Sequence, residues 1–573
     1  MLSHVLRATA FAASCLALPA SDASDLKVDI DWNNVLIESK TTATLQSVAN
    51  PPLLSNSSTR ENALSSLKSV AADYVRYVPW FPYPRLSVPE IDPPVKNETH
   101  CSTNWDFTYA DQLLLDFLAN TPNVSHIINF STTPDWMWVT DTPYEYPEDV
   151  NAIDWNYNNG TRLRDPSLKE ISDYYARLLS WYVQGGFTDE CGVYHKSGHH
   201  LDIEYWEILN ESDSEHTISP EFYNQIYDTV TAAIHKVSPK TQFVGLALAT
   251  RNVTRVKDFL DPANHKPGTP LDWISYHFYA TPDNSTTKNE SAQSFQMADT
   301  FLGEVAEIEA ARKAISPSTR TTINELGTMD PLGSTVIYEN YTIPDEYWVW
   351  SGGIYAYLFS KLAVAGIDAV GESQLSGYPG QYPSVSMIYY QTGLPTARLR
   401  VLQLIQASIL IGDKLVQTTS DETQFHAQAL VVAGGTKKLL LVNKLNQELS
   451  IQVTDFQKAT AEIVDVSTGG NPWRTEDVNG SIELPPHMPW LSSPSLKREL
   501  LDIISFGAFE RKFISKCAWD FVRLLFITFS VVPSIRNALS SGFRIPNRGH
   551  FADRIVSVTP VSSLSIHHAT NST

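Results

Sequence analysis

The stretch Asp202-Ile203-Glu204-Tyr205-Trp206-Glu207-Ile208-Leu209-Asn210-Glu211-Ser212 constrains the fold more than any other part of the chain. Val193 to Gly198 read as loop. Polar and apolar residues then alternate, with His200, Asp202, Glu204 and Trp206 on one side and Leu201, Ile203, Tyr205 and Glu207 on the other. Alternation of this kind predicts a buried strand, and it carries more charge than a core strand tolerates without reason. A buried carboxylate costs several kcal/mol unless it is paired, hydrogen-bonded or protonated. The strand ends at Asn210-Glu211, before the polar run Ser212 to His216. That ending projects a carboxylate from a strand's C-terminal end, which is where parallel α/β barrels carry out chemistry.

The rest of the chain repeats a strand–helix rhythm. Thr44 to Ala49 and Tyr74 to Phe81 read as strands around a helix from Arg60 to Ala72. Helices are expected at Phe107 to Leu118 and Leu168 to Val183, with the strand His126 to Asn129 between them. Ser219 caps a helix whose first turn holds Pro220. Strands Gln242 to Ala249, Trp273 to Tyr279, Thr321 to Asn324 and Asp368 to Ser373 alternate with further helices up to Thr396 to Ile411. About eight such units predict an α/β fold, a (β/α)8 TIM barrel over residues 40–412. No glycine-rich phosphate fingerprint follows the first strands, which argues against a dinucleotide site.

After Phe425 the pattern changes to short strands separated by Gly434-Gly435, Asn446-Gln447 and Gly469-Gly470. This predicts a C-terminal antiparallel β-sandwich over 413–490, completed by an early strand within 24–39. Residues 495–573 differ again, with about ten basic against about five acidic residues. They read as a disordered tail or as a gene-model artefact such as translated intron. Leu524 to Val532 is apolar but too short to span a membrane.

The chain of 573 residues has a formal charge of −21, which argues against nucleic acid as a partner. Met1 to Ala23 has the charged start, apolar run and small residues of a secretory signal, and its apolar run is too short for a membrane span. A secreted, extracellular location is therefore expected. N-linked glycans are expected at sequons including Asn56, Asn97, Asn123, Asn129, Asn159, Asn252, Asn284, Asn289, Asn340 and Asn479. Asn210 also fits the sequon pattern but is expected to stay unmodified if it lines a site. Of the four cysteines, Cys15 leaves with the signal and Cys517 lies in the tail, so Cys101 and Cys191 are the pair available for a disulfide. No zinc-ligand spacing is present, and neither a metal nor an organic cofactor is expected.

Glu211 and Glu325 each stand just past a barrel strand, the fourth and the seventh, and so face one mouth. Two carboxylates across a sugar-sized gap are what glycoside hydrolysis needs. One protonates the leaving oxygen, and for retention of configuration the other attacks from about 5–5.5 Å away. Here the chain resembles a known group. Trp206-Glu207-Ile208-Leu209-Asn210-Glu211 is similar to the W-x-x-x-N-E signature of the retaining (β/α)8 glycosidase clan. Trp273 to Tyr279 and Thr322-Ile323-Asn324-Glu325 resemble strands six and seven of glycoside hydrolase family 39, the β-xylosidase and α-L-iduronidase family. Ser212 stands where that family usually has proline.

The resemblance implies Glu211 as general acid/base and Glu325 as nucleophile. It implies that Asn210 meets the sugar 2-hydroxyl, that His277 and Tyr279 line the site, and that Trp136 is a sugar platform. Glu372 would be a ligand for a substrate hydroxyl, and Glu204 and Glu207 support the motif from behind. The implied activity is a secreted hydrolase cleaving O-glycosidic bonds by double displacement, exo-acting on a β-xyloside-like or related cell-wall sugar. An endo-glycanase, a transglycosylase and a non-catalytic carbohydrate-binding barrel are the alternatives.

Overall fold

The computed structural model describes residues 26–157, 160–282, 290–330, 342–445 and 447–484, and the backbone of 523–528. The leader pattern at Met1 to Ala23 lies outside them, as do the sequons at Asn159, Asn284, Asn289 and Asn340.

Eight parallel strands close into a barrel, each followed by a helix. The strands are β1 (Thr42–Val48), β2 (Tyr74–Val78), β3 (Ser125–Ile128), β4 (Tyr205–Glu207), β5 (Gln242–Leu248), β6 (Trp273–Ala280), β7 (Arg320–Thr328) and β8 (Ala369–Glu372). The outer helices are α1 (Arg60–Lys68), α2 (Thr108–Asn120), α3 (Lys169–Val183), α4 (Pro220–Val237), α5 (Val253–Leu260), α6 (Glu290–Ile315), α7 (Asp345–Ala365) and α8 (Ala397–Ser408). The expected start of α4 is present, because the Ser219 side chain accepts the Phe222 N–H and Pro220 opens the first turn. β4 is much shorter than the alternation of 200–212 suggests. It is only Tyr205–Glu207, and a separate hairpin of Gly186–Thr188 with Tyr194–Lys196 precedes it.

Tyr205, Trp273, Val244, Ile127 and Ala369 pack into one apolar layer at the bottom of the barrel, with Tyr74 against it. Above that layer the barrel interior becomes polar. Outside the barrel, the large core runs between strands and helices.

A second sheet is built from Lys414–Thr419, Phe425–Val431, Lys437–Asn443, Leu449–Asp465 and Arg474–Leu484. The N-terminal strand Asp29–Glu38 pairs antiparallel with Lys414–Thr419, and Arg523–Thr528 lies between Lys437–Asn443 and Leu449–Asp465. Between Asn446-Gln447 and Gly469-Gly470 the chain forms one long strand, Leu449–Asp465, in place of short ones. Its register shifts between Gln452 and Ala459, and Lys458 sits at φ +59°, so the chain bends at a bulge instead of ending. Cys101 and Cys191 are joined by a disulfide, with Cα atoms 5.5 Å apart. The bond ties a hairpin of Val95–Lys96 with Cys101–Ser102, after β2, to the hairpin that precedes β4.

Candidate active site

β7 provides the first side chain of the site through a local irregularity. Ser275 pairs with Thr322 and His277 with Glu325, so β7 holds one more residue than β6 across that step. The same extra residue shows against β8, where Ile323 pairs with Val370 and Leu326 with Glu372. Strand neighbours normally point to opposite faces. The bulge lets Asn324 and Glu325 both reach inward. The Asn324 amide donates to Glu207 Oε1 at 2.8 Å, and Glu325 meets Arg76 at 2.6 Å.

Arg76 on β2 is the hub of the interior. Its Nε donates to Glu207 Oε2 at 2.6 Å, Nη1 to Glu325 Oε1 and to Gln46, and Nη2 to Asn210 Oδ1 at 2.8 Å. Glu207 is wholly buried, and Asn129, Ser275 and Asn324 donate to it alongside Arg76. Four donors on one carboxylate offset the cost of its burial. Glu207 therefore supports the motif from behind, and it fixes Arg76 beneath Glu325.

Glu211 follows β4 in a tight turn, at φ +40°. Its carboxylate accepts from His277 Nδ1 at 2.8 Å, and the same nitrogen lies 3.5 Å from Glu325 Oε2. Glu211, His277 and Glu325 each present an oxygen or nitrogen within 4.8 Å of the others. Tyr279 donates to Glu325 Oε2 at 2.6 Å and contacts Ser373 Oγ at 2.7 Å. Burial opposes the charge on Glu325, but His277, Arg76 and Tyr279 outweigh it and hold its carboxyl below the usual range. Burial also opposes a charged His277, yet Glu325 and Glu211 raise its pKa above the ordinary histidine value.

Glu211, Glu325 and Tyr279 open into a pocket of about 110 Å³. Gln46, Ser373 and Gln374 add polar groups to it, and Val48, Val78, Met329 and Val385 add an apolar wall. Trp80 and Tyr382 face each other at 6.0 Å, nearly parallel, and complete the lining. The Glu211 side chain is 19% exposed and that of Glu325 10%, so Glu211 is the one nearer to solvent.

The structure brings Glu211, Glu325 and Tyr279 to the pocket, sets Asn210 and His277 buried behind its wall against Arg76 and Glu211, and places two other expected residues elsewhere. Trp136 does not line this pocket. The Arg164 guanidinium lies over one face of its ring at 4.3 Å, and its indole N–H donates to the Glu90 carbonyl at 3.0 Å. Trp80 and Tyr382 provide the aromatic wall instead. Glu372 is wholly buried and paired with Arg398 of α8. Its register neighbours Leu326 and Leu45 belong to the core outside the barrel, so Glu372 faces the helices. The next residue, Ser373, faces the pocket.

Asn129, read as a sequon, is wholly buried, and its amide donates to Glu207 and to the Leu209 carbonyl. It is therefore inaccessible to glycosylation. Arg76, Gln46, Ser373 and Glu215 were not legible as site residues. The only signal for Arg76 was a charge inside the apolar strand Tyr74–Val78.

Solved structures similar to this chain include several glycoside hydrolases. A GH51 arabinofuranosidase from Xanthomonas axonopodis pv. citri superposes with a TM-score of 0.53 at 10% identity, over 88% of this chain and 100% of that one. A glucosidase from Croceicoccus marinus gives 0.51 at 12% identity, over 89% and 100%. A GH39 β-xylosidase from Caulobacter crescentus gives 0.50 at 15% identity, over 87% and 99%. At these identities the likeness establishes the fold, a (β/α)8 barrel with an antiparallel β domain, and family 39 is one of several families that share it. No protein-family model and no curated protein sequence matches the chain.

Proposed function

We propose that the protein is a retaining glycoside hydrolase, with Glu325 as nucleophile and Glu211 as general acid/base. The carrying observation is the spacing of the two carboxyl groups, which approach within 4.8 Å. Double displacement calls for about 5–5.5 Å, whereas inversion needs about 6.5–9.5 Å to admit a water molecule. Arg76, Tyr279 and His277 keep Glu325 ionised for attack on the anomeric carbon. Glu211, nearer to solvent, gives a proton to the leaving oxygen. It then removes one from the water that cleaves the glycosyl–Glu325 ester. Asn210 contributes at the sugar 2-hydroxyl.

The sugar is neutral. Each guanidinium nitrogen of Arg76 is already engaged, and none of the described pocket-lining residues is Lys or Arg. A uronic acid would bury its carboxylate beside two others without a partner. The pocket suits one terminal ring, which supports exo action on a β-xyloside-like or related cell-wall sugar. The arabinofuranosidase and β-xylosidase of the same fold support a pentoside. Secretion fits the leader pattern and the Cys101–Cys191 disulfide. Glycans fit the exposed sequons at Asn56, Asn97, Asn123, Asn252 and Asn479.

A screen of aryl pentosides, hexosides and uronides at mildly acidic pH tests this, with the anomeric configuration of the first product followed by NMR. Retention is expected, together with hydrolysis of neutral glycosides and none of uronides. Inversion, or activity that survives intact in both Glu211→Gln and Glu325→Gln, would overturn it.

A further inference from the structure

A third carboxyl group stands beside the pair, and the double-displacement chemistry has no step for it. Glu215 closes the turn that carries Glu211, with its backbone N–H donating to the Glu211 carbonyl at 2.7 Å. One oxygen of its side chain accepts from two directions. Trp80 Nε1 lies 2.7 Å from Glu215 Oε1, and Asn210 Nδ2 lies 2.9 Å from the same atom. Trp80 follows β2 and lines the pocket, whereas Asn210 follows β4 and is held on its other side by Arg76. A single oxygen thus joins the ends of two strands that are not neighbours in the barrel.

Resting on the glycosidase reading, we propose that Glu215 is a positioning residue for the reaction. It holds Asn210, Trp80 and the Glu211 turn in one arrangement through an accepting oxygen, and this task needs no negative charge. Both of its hydrogen-bond donors are neutral. A charge here would also stand beside Glu211 and Glu325, where like charges oppose each other. Burial, then Glu211, push the Glu215 carboxyl up to about 8 against the two donors, so the group is mostly neutral at mildly acidic pH. His277 and Arg76 bond to Glu211 and Glu325 and not to Glu215. Glutamine offers the same accepting oxygen without a charge, whereas alanine offers nothing.

The test compares Glu215→Gln, Glu215→Ala, Asn210→Ala and the Glu215→Ala, Asn210→Ala double variant with the parent in the full chain. Glu215→Ala is expected to lower kcat/KM by about 10- to 100-fold, and Glu215→Gln to recover most of that loss. Adding Glu215→Ala to Asn210→Ala is expected to cost far less than adding it to the parent, because coupled residues are not additive. The Trp80 indole N–H resonance, assigned through Trp80→Phe, is expected to shift in Glu215→Ala and to stay near its parent position in Glu215→Gln. An equal loss in the glutamine and alanine variants would overturn the proposal by making the charge or proton essential. An unmoved Trp80 resonance in Glu215→Ala would overturn the clamp itself. Should the parent cleave no glycoside at all, the glycosidase reading falls, while the resonance still decides whether Glu215 holds Trp80.

Discussion

Two buried arginine–glutamate systems sit on opposite faces of the same barrel wall. Arg76 meets Glu207 and Glu325 inside the barrel, and Arg398 meets Glu372 outside it. Both arginines are almost wholly buried. Inside, one cation is spread over Glu207, Glu325, Asn210 and Gln46, and Glu325 keeps an edge toward an open pocket. Outside, the ionic contact is one to one and closed by side chains. Glu325 is held below the usual carboxylate range, whereas burial pushes Glu372 up to about 7 despite Arg398. A buried charge pair is therefore no sign of catalysis by itself. The face of the strand and access to a pocket separate a reactive group from a structural one.

The sharpest way to break this contrast is at Glu325. Glu325→Gln is expected to lower kcat/KM on an aryl glycoside by about 10⁴-fold or more. Circular dichroism should still report a folded barrel, because Glu207 continues to pair Arg76. Glu211→Gln is expected to cost about 10²–10⁴-fold on a glycoside with a poor leaving group, and clearly less on an activated aryl glycoside, whose departure needs little protonation. Equal losses on both substrates would remove Glu211 from the acid role.

On the outer face the readout is stability. Arg398→Met leaves Glu372 buried without a partner and is expected to cost about 3–5 kcal/mol in denaturant unfolding. The folded fraction should keep the parent kcat. The pH dependence of stability differs between the two faces as well. Glu325, lowered from 4.5, contributes stability above pH 4.5 that is lost as pH falls through its folded value. Glu372, raised from 4.5 to about 7, acts in the opposite sense, so stability declines as pH rises from 4.5 to about 7. Glu372→Gln is expected to flatten that decline in Tm, and Glu325→Gln to flatten the acid limb. His277, raised from 6.5, adds a contribution that is complete below pH 6.5 and lost as pH rises through its folded value. The smallest effect is expected at Trp136. Its ring contacts Arg164 and not the pocket, so Trp136→Phe should change KM less than about twofold, against a clear rise in KM for Trp80→Ala.

Much of the molecule was legible in the chain because it rests on local periodicity. The helix that starts at Ser219-Pro220 and the succession of strands and helices needed only neighbours along the sequence. Asn210-Glu211 stood out because acids after a buried strand demand an explanation. The misreadings share one cause, which is contact between distant residues. Trp136 follows a strand as a sugar platform would, but Arg164, far along the loop, lies over one face of its ring. Glu372 ends a barrel strand as a site residue would, but its register points it outward. Arg76 is one charge in a short apolar strand, and its part in the site shows only once Glu207, Asn210, Gln46 and Glu325 are assembled around it.

The amino-acid sequence alone determined the order of elements, the parallel barrel and the placement of Glu211 and Glu325 at strand ends, because hydrophobic period and strand ends are properties of short stretches. Only the tertiary structure decided which carboxyl groups face the pocket. Inward or outward direction on a strand depends on register, and on β7 the register is reset by a bulge that is defined by its pairing with β6 and β8. The same closure of the barrel brings Arg76, His277 and Tyr279 against Glu325, and so sets the charge that the proposed nucleophile carries.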